Sequence, residues 1–170
     1  MLKPNSLRAH LTAATPELRQ DPDKVSIFVR EGRLVAAGAD SLSFEYRYVL
    51  NVVMLDYAGQ PDAVMVPLLA WLRVNQIEIF ENTSLRDKSV RFDVEYLNKE
   101  TVDISIEIDL VEPVIVASGS DPGSTETTKR YSVAHPEEPA RVGALVAAEH
   151  WEVWADGLLL ADWDFPATEP

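Results

Sequence analysis

The chain of 170 residues contains no cysteine, which excludes disulfides, zinc–thiolate sites, iron–sulfur clusters and thiol nucleophiles. Long apolar runs are missing too: no stretch reaches the ~18 uninterrupted apolar residues of a membrane span. The opening residues, Met1-Leu2-Lys3-Pro4-Asn5-Ser6-Leu7, lack the continuous apolar core of a signal peptide, so the expectation is cytoplasmic synthesis without Sec export. Basic side chains are scarce, with 15 Lys+Arg against 28 Asp+Glu and a formal net charge of −13. Such a balance opposes broad neutralisation of DNA or of an anionic lipid surface, and neither nucleic acid nor membrane is an expected partner. Compact catalytic signatures are also absent. The sequence has no Gly-x-x-x-x-Gly-Lys-Ser/Thr phosphate loop, no Gly-x-Ser-x-Gly elbow, no His-Glu-x-x-His and no Gly-x-Gly-x-x-Gly, which argues against an enzyme.

What is present suits one folded domain with an appendage. With 46% hydrophobic and 25% charged residues the composition is globular. A chain of this length buries roughly 70% of its unfolded surface without a metal or disulfide staple. The acidity is unevenly placed: residues 1–80 carry 8 basic and 9 acidic side chains, residues 81–170 carry 7 and 19. One surface or segment therefore holds most of the field, and either a basic partner or simple solvation accounts for it.

Leu7, Leu11, Ala14 and Leu18 fall at helical spacing after a candidate N-cap at Asn5 or Ser6. Pro16 interrupts the stripe, which predicts a helix over 5–14 and a short piece over 16–20. Residues 25–37 read as a hairpin turning at Glu31-Gly32, with Gly32 supplying the positive φ. From Ser43 to Asp56 apolar and polar residues alternate, and beyond Val49 both faces turn apolar. That predicts a strand entering a layer covered on two sides. A helix is expected over 61–77, with Pro67 kinking it or delaying its start.

Arg91, Asp93 and Glu95 alternate with Phe92, Val94 and Tyr96, and Asp103, Glu107 and Asp109 alternate with Val102, Ile104, Ile106, Ile108 and Leu110. This predicts a β-hairpin with one apolar face. Residues 118–141, with Pro122, Pro136 and Pro139 and with Pro113 just upstream, read as a long loop or extended arm. The end of the chain, Trp151 to Trp163, centres an Asp156-Gly157 pair between strand-like runs, the composition of a two-residue type I′ hairpin. The reading is thus α+β, a mixed, mainly antiparallel sheet packed with two principal helices. Its divisions are a body over 1–117, a Pro-rich loop or arm over 118–150 and a Trp-rich β-hairpin over 151–165.

Three groups of residues were candidates for chemistry. His10, His135 and His150 show no metal-ligand spacing and read as ordinary surface or boundary residues. Asp103, Glu107 and Asp109, with Asp93 and Glu95 across the hairpin, could hold a hard cation weakly, but the stretch lacks the glycine turn and carbonyl ligands of a calcium loop. A solvated sheet face is the favoured explanation, and no catalytic residue, metal or cofactor is assigned. The terminal hairpin is the stronger lead, because aromatic residues are enriched at interface cores. Trp151, Val153, Trp154, Leu158, Leu160 and Trp163 are its candidate interface residues. Covering their own sheet is the plain alternative.

Taken in order, Met1 to Leu7, Ser41-Leu42-Ser43-Phe44-Glu45-Tyr46-Arg47-Tyr48 with Leu50-Asn51, Val64-Met65-Val66-Pro67-Leu68-Leu69-Ala70-Trp71-Leu72-Arg73 and Val102-Asp103-Ile104-Ser105-Ile106 resemble the tail completion protein R family of P2-like contractile-tailed phages. The run Val153-Trp154-Ala155-Asp156-Gly157-Leu158-Leu159-Leu160 is similar to that family's closing hairpin, whereas 118–150 matches nothing in it. The resemblance implies a tail-terminator-like fold and a non-enzymatic virion protein assembled in the host bacterial cytoplasm. It implies a cap on the head-proximal end of the tail tube that stops polymerisation and readies the tail for head joining. By looser analogy with other phage terminators it implies a homo-oligomeric ring, a hexamer, touching tube, sheath and head–tail connector proteins. A connector or tail assembly factor is the alternative within the same biology. A small carboxylate-dependent hydrolase is a distant one.

Overall fold

The computed structural model describes residues 1–36, 41–98, 100–119, 130–136, 138 and 149–165. Among them the chain runs through α1 (Lys3–Ala14), α2 (Pro16–Gln20), β1 (Val25–Ala36), β2 (Phe44–Tyr57), α3 (Asp62–Asn75), α4 (Glu78–Glu81) and α5 (Thr83–Arg86). It continues through β3 (Val90–Tyr96), β4 (Val102–Gly119), β5 (Arg130–Ala134), β6 (Glu149–Ala155) and β7 (Leu158–Phe165). No helix among the described residues is long and apolar enough to cross a membrane.

The period-two alternation of β4 organises the molecule. Val102, Ile104, Ile106, Ile108 and Leu110 all turn to one face and are buried, and each fully buried side chain of this size contributes about 1.5–3 kcal/mol. Tyr48, Leu50, Val52 and Met54 of β2 do the same beside them. Strand order is β1-β2-β4-β3, with β5 continuing alongside the far half of β4, and every pairing is antiparallel. The sheet curls into a half-barrel. Leu7 and Leu11 of α1 and Val64, Leu68, Trp71 and Leu72 of α3 pack into the same core, so these are the two principal helices. The α+β architecture is as expected.

Several local readings require correction. Residues 25–36 form one strand, not a hairpin: all of β1 pairs with β2, and a bulge between Arg30 and Arg33 takes up the Glu31-Gly32 irregularity. The left-handed residue there is Glu31, at φ 51°, not Gly32. The second half of β2 is not covered on both sides, for Val49 and Val53 are half-buried and Leu55 is exposed. A curled sheet packs helices into its concave face and leaves the convex face to its own side chains. Helix α1 begins at Lys3 rather than Asn5, and no residue of its own first turn caps it. Within the predicted loop, β4 runs to Gly119 and residues 130–134 form a strand against it; most of 118–150 lies outside the described residues. Two one-turn helices, α4 and α5, were not anticipated.

Helix α3 passes through Pro67 without ending. Proline donates no hydrogen bond to the carbonyl four residues earlier, and here the buried Thr15 hydroxyl donates to that Ala63 oxygen at 3.2 Å. The hinge between α1 and α2 therefore repairs the helix it packs on. Glu17 of α2 fixes the turn after β2, accepting from the amides of Ala58 and Gly59 and from Lys24 Nζ. A side chain at position 59 would run into the Tyr57 ring, so the glycine is sterically required there.

Candidate functional site

The C-terminal hairpin forms as its sequence predicts. Asp156 and Gly157 both take positive φ, 49° and 79°, which a type I′ turn requires. Its inner face sits on the protein's own helices: Trp163 and Ala161 are buried with Ala14 of α1, and Ala70, Trp151 and Val153 pack around them. His10 meets Trp163 edge to face at 5.8 Å and donates from Nε2 to the Pro67 carbonyl at 3.0 Å. Burial holds the His10 imidazole below its ordinary value, because a low-dielectric site disfavours the charged ring. Arg19 adds a bond to Asp162 at 2.7 Å.

A bulge between Val153 and Trp154 divides the six candidate interface residues. Trp163 is enclosed, and Trp151, Val153 and Leu160 are half-buried, whereas Trp154 and Leu158 are 57% and 63% exposed at the hairpin tip. Leu159 is exposed with them. His10 is the residue that sequence reasoning undervalued here. Its place one position before Leu11 on the α1 stripe was the available signal.

The carboxylate row lies on the convex face. Arg91 of β3 stands between Glu107, at 3.3 Å, and Asp109, at 3.0 Å, and also donates to the Lys88 carbonyl. Its hydrogen bond to Asp109 raises the guanidinium above its usual range. Asp103 accepts from the Asp56 amide at 2.9 Å. Among the described residues no three His, Asp or Glu side chains are grouped to hold a metal ion. The row is a braced sheet face, and such exposed pairs contribute about 0–1 kcal/mol each.

Glu112 was missed, although it stands in the apolar phase of β4, two residues beyond Leu110. It is buried, and accepts from the Leu2 amide at 2.7 Å, the Lys3 amide at 3.3 Å and the Tyr48 hydroxyl. It therefore caps α1 from across the sheet, where an anion meets the positive helix end. Tyr48 is driven well above its ordinary range by burial and by this neighbour, so it remains a donor. Lys3, also buried, donates to Gln76 Oε1 and the Val111 carbonyl, both at 2.8 Å, and to Glu138 at 2.6 Å. His135 Nδ1 lies 4.0 Å from Glu112. This polar node ties the start of the chain, the end of α3, β4 and the residues after β5 into one joint.

Two further surfaces protrude. Beyond Val114, β4 and β5 form a ribbon on which Ile115, Tyr131 and Val133 are exposed. The outer strands β1 and β3 also leave Leu34, Phe92 and Tyr96 open to solvent. Shallow hollows of ≈ 310 and ≈ 270 Å³ flank the β1 bulge, the first including Arg33, Arg47, Gln76 and Ser89, the second Met1 and Leu34. They contain no nucleophile–base pair.

Among the described residues, the outer strands, the hairpin tip and the β4–β5 ribbon all carry exposed apolar side chains. The model of the P2 phage tail completion protein R (GpR) family matches residues 1–139. Tail completion protein R of Escherichia phage P2 is 38% identical over 164 residues, covering 96% of this chain and 99% of that one. The chain belongs to the phage tail completion protein R family. Its role is structural rather than enzymatic, in the completion of a phage tail, and it is a virion tail component assembled in the host cytoplasm. No solved structure matches it.

Proposed function

We propose that this protein caps the head-proximal end of the tail tube as a ring of identical subunits, halts polymerisation there and presents a surface for head joining. The observation that carries this reading is the match to tail completion protein R along nearly the whole of both chains. Hexameric closure is the stoichiometry we assign. The tube, the sheath and the head–tail connector are its neighbours in this reading, with residues 1–117 as the ring body and the hairpin as a docking element. Exposed Trp154 and Leu158 would supply apolar contact, because truncating a buried interface aromatic costs about 2 kcal/mol or more at a hot spot. Trp151, Val153, Leu160 and Trp163 would hold that tip in place.

Electron microscopy of phage lacking this protein tests the reading. Tails of abnormal length, or tails that fail to join heads, are expected, and normal tails would refute it. A tail that joins heads with the subunit at neither tube end would favour the alternative of a transient assembly factor. Deleting 151–163 is expected to impair assembly more than it impairs folding of the body.

A further inference from the structure

The sheet has two outer strands, and they are complementary in charge, in apolar surface and in direction. On β1, Arg30 and Arg33 stand opposite Val49 and Arg47, in the convex-face phase. Neither has a carboxylate partner among the described residues; Arg30 lies over the Phe28 ring at 5.0 Å. On β3, Asp93 and Glu95 stand opposite Ser105 and Asp103 on the same face. Neither has a cationic partner among the described residues, Arg91 being engaged by Glu107 and Asp109. The concave-face phase of both strands is apolar where the helices no longer cover it. Val29 and Leu34 are exposed on β1, Phe92 and Tyr96 on β3.

Direction completes the match. Each neighbouring pair in the order β1-β2-β4-β3 is antiparallel, so with four strands β1 and β3 run in opposite senses. A second copy set beside the first, its convex face turned the same way, lays its β1 antiparallel to the first copy's β3. We propose that copies of this chain join head to tail by this addition, making one sheet continuous from protomer to protomer. The unpaired amides and carbonyls of both edges satisfy one another. Arg30 and Arg33 meet Asp93 and Glu95 as cross-strand pairs on the convex face, and Val29 and Leu34 meet Phe92 and Tyr96 on the concave one. The contact is heterologous, using a different surface on each side, and closes into a ring when the rotation per subunit divides a full turn. This inference rests on the self-association in the proposed function and names its surface.

Charge reversal provides the test. Variant one carries Asp93→Lys and Glu95→Lys, and variant two carries Arg30→Glu and Arg33→Glu; all four residues are exposed, and unchanged circular dichroism would establish the fold. In sedimentation velocity the wild type is expected to associate, and each variant alone to associate about 100-fold more weakly, because like charges face each other across the joint. An equimolar mixture is expected to recover association, since alternating variants restore opposite charges at every joint. Variants that associate like the wild type, or a mixture that does not recover, would overturn the edge assignment while leaving ring formation standing. A wild type that stays monomeric at every concentration would overturn both. Independently, Arg33→Cys with Asp93→Cys, which face each other in this antiparallel register, is expected in this cysteine-free chain to give an oxidation ladder of dimers, trimers and larger species that neither single cysteine gives. The absence of a ladder would count against the edges.

Discussion

The sheet body and the C-terminal hairpin both pack against α1 and α3, but they are secured differently. The body closes around a continuous core from Leu7 and Leu11 to Leu50, Trp71 and Ile106, locked at one end by Glu112 and Lys3. The hairpin holds on by a seam of Ala14, Ala161 and Trp163 with three half-buried neighbours, and by the Arg19–Asp162 pair. The body is stabilised by its own strand ladder and helices. The hairpin, a two-stranded ribbon that is marginal by itself, depends on the surface it sits on. A small docked element of this kind can be disturbed while the body persists.

The sharpest test is Glu112→Ala, which leaves two helix-end amides and the Tyr48 hydroxyl without their acceptor. Urea unfolding is expected to show a loss of about 4 kcal/mol, since each buried donor left unsatisfied costs about 1–3 kcal/mol, and a loss below about 1 kcal/mol would mean that the polar node does not lock the body. Next is Trp163→Ala, expected to cost about 3 kcal/mol and to raise hydrogen exchange in β6 and β7 while the central residues of β2 and β4 stay protected. Loss of protection in all four strands together would erase the distinction between the regions. Thr15→Val removes the donor to the Ala63 carbonyl and is expected to cost about 1 kcal/mol, with the exchange of α3 amides near Pro67 as the local readout.

The pH dependence follows from His10, which joins the two regions. Its folded value lies below the ordinary 6.5, so the unfolded chain takes up the proton first and stability falls as pH drops below about 6.5. His150 is raised by Asp164 and acts with the opposite sign, so the measurement is the difference in slope between wild type and His10→Gln. The variant should lose less stability on acidification, and identical slopes would remove His10 from the seam. The smallest effect is expected from Trp154→Ser at the exposed tip. Stability should change by no more than ~0.5 kcal/mol, while tail assembly weakens.

Periodicity made the body legible because its strands bury one face each: β4, β2, the type I′ turn and the two principal helices were all readable as patterns. The seam was not, since Ala14, Ala161 and Ala70 are unremarkable as sequence and acquire meaning only when stacked against Trp163. Nor was the node, in which Lys3 and Glu112 lie far apart in sequence and each looks like one more surface charge. Glu31 defeated the β1 reading because a bulge and a turn use the same left-handed conformation, and only the pairing partner tells them apart. The candidate interface residues were legible as a group, but their division into enclosed and exposed sets depended on the Val153–Trp154 bulge.

The cap that Glu112 places on α1 also sets an order of events. Its acceptor lies 110 residues downstream of the Leu2 amide, so the first helix is completed only after most of β4 has been synthesised and has paired. Until then α1 is a twelve-residue segment, a length at which an isolated helix is marginal in water. The beginning of this chain is therefore tied down by a contact of very long sequence separation, the kind whose loop-closure entropy must be met before it stabilises anything.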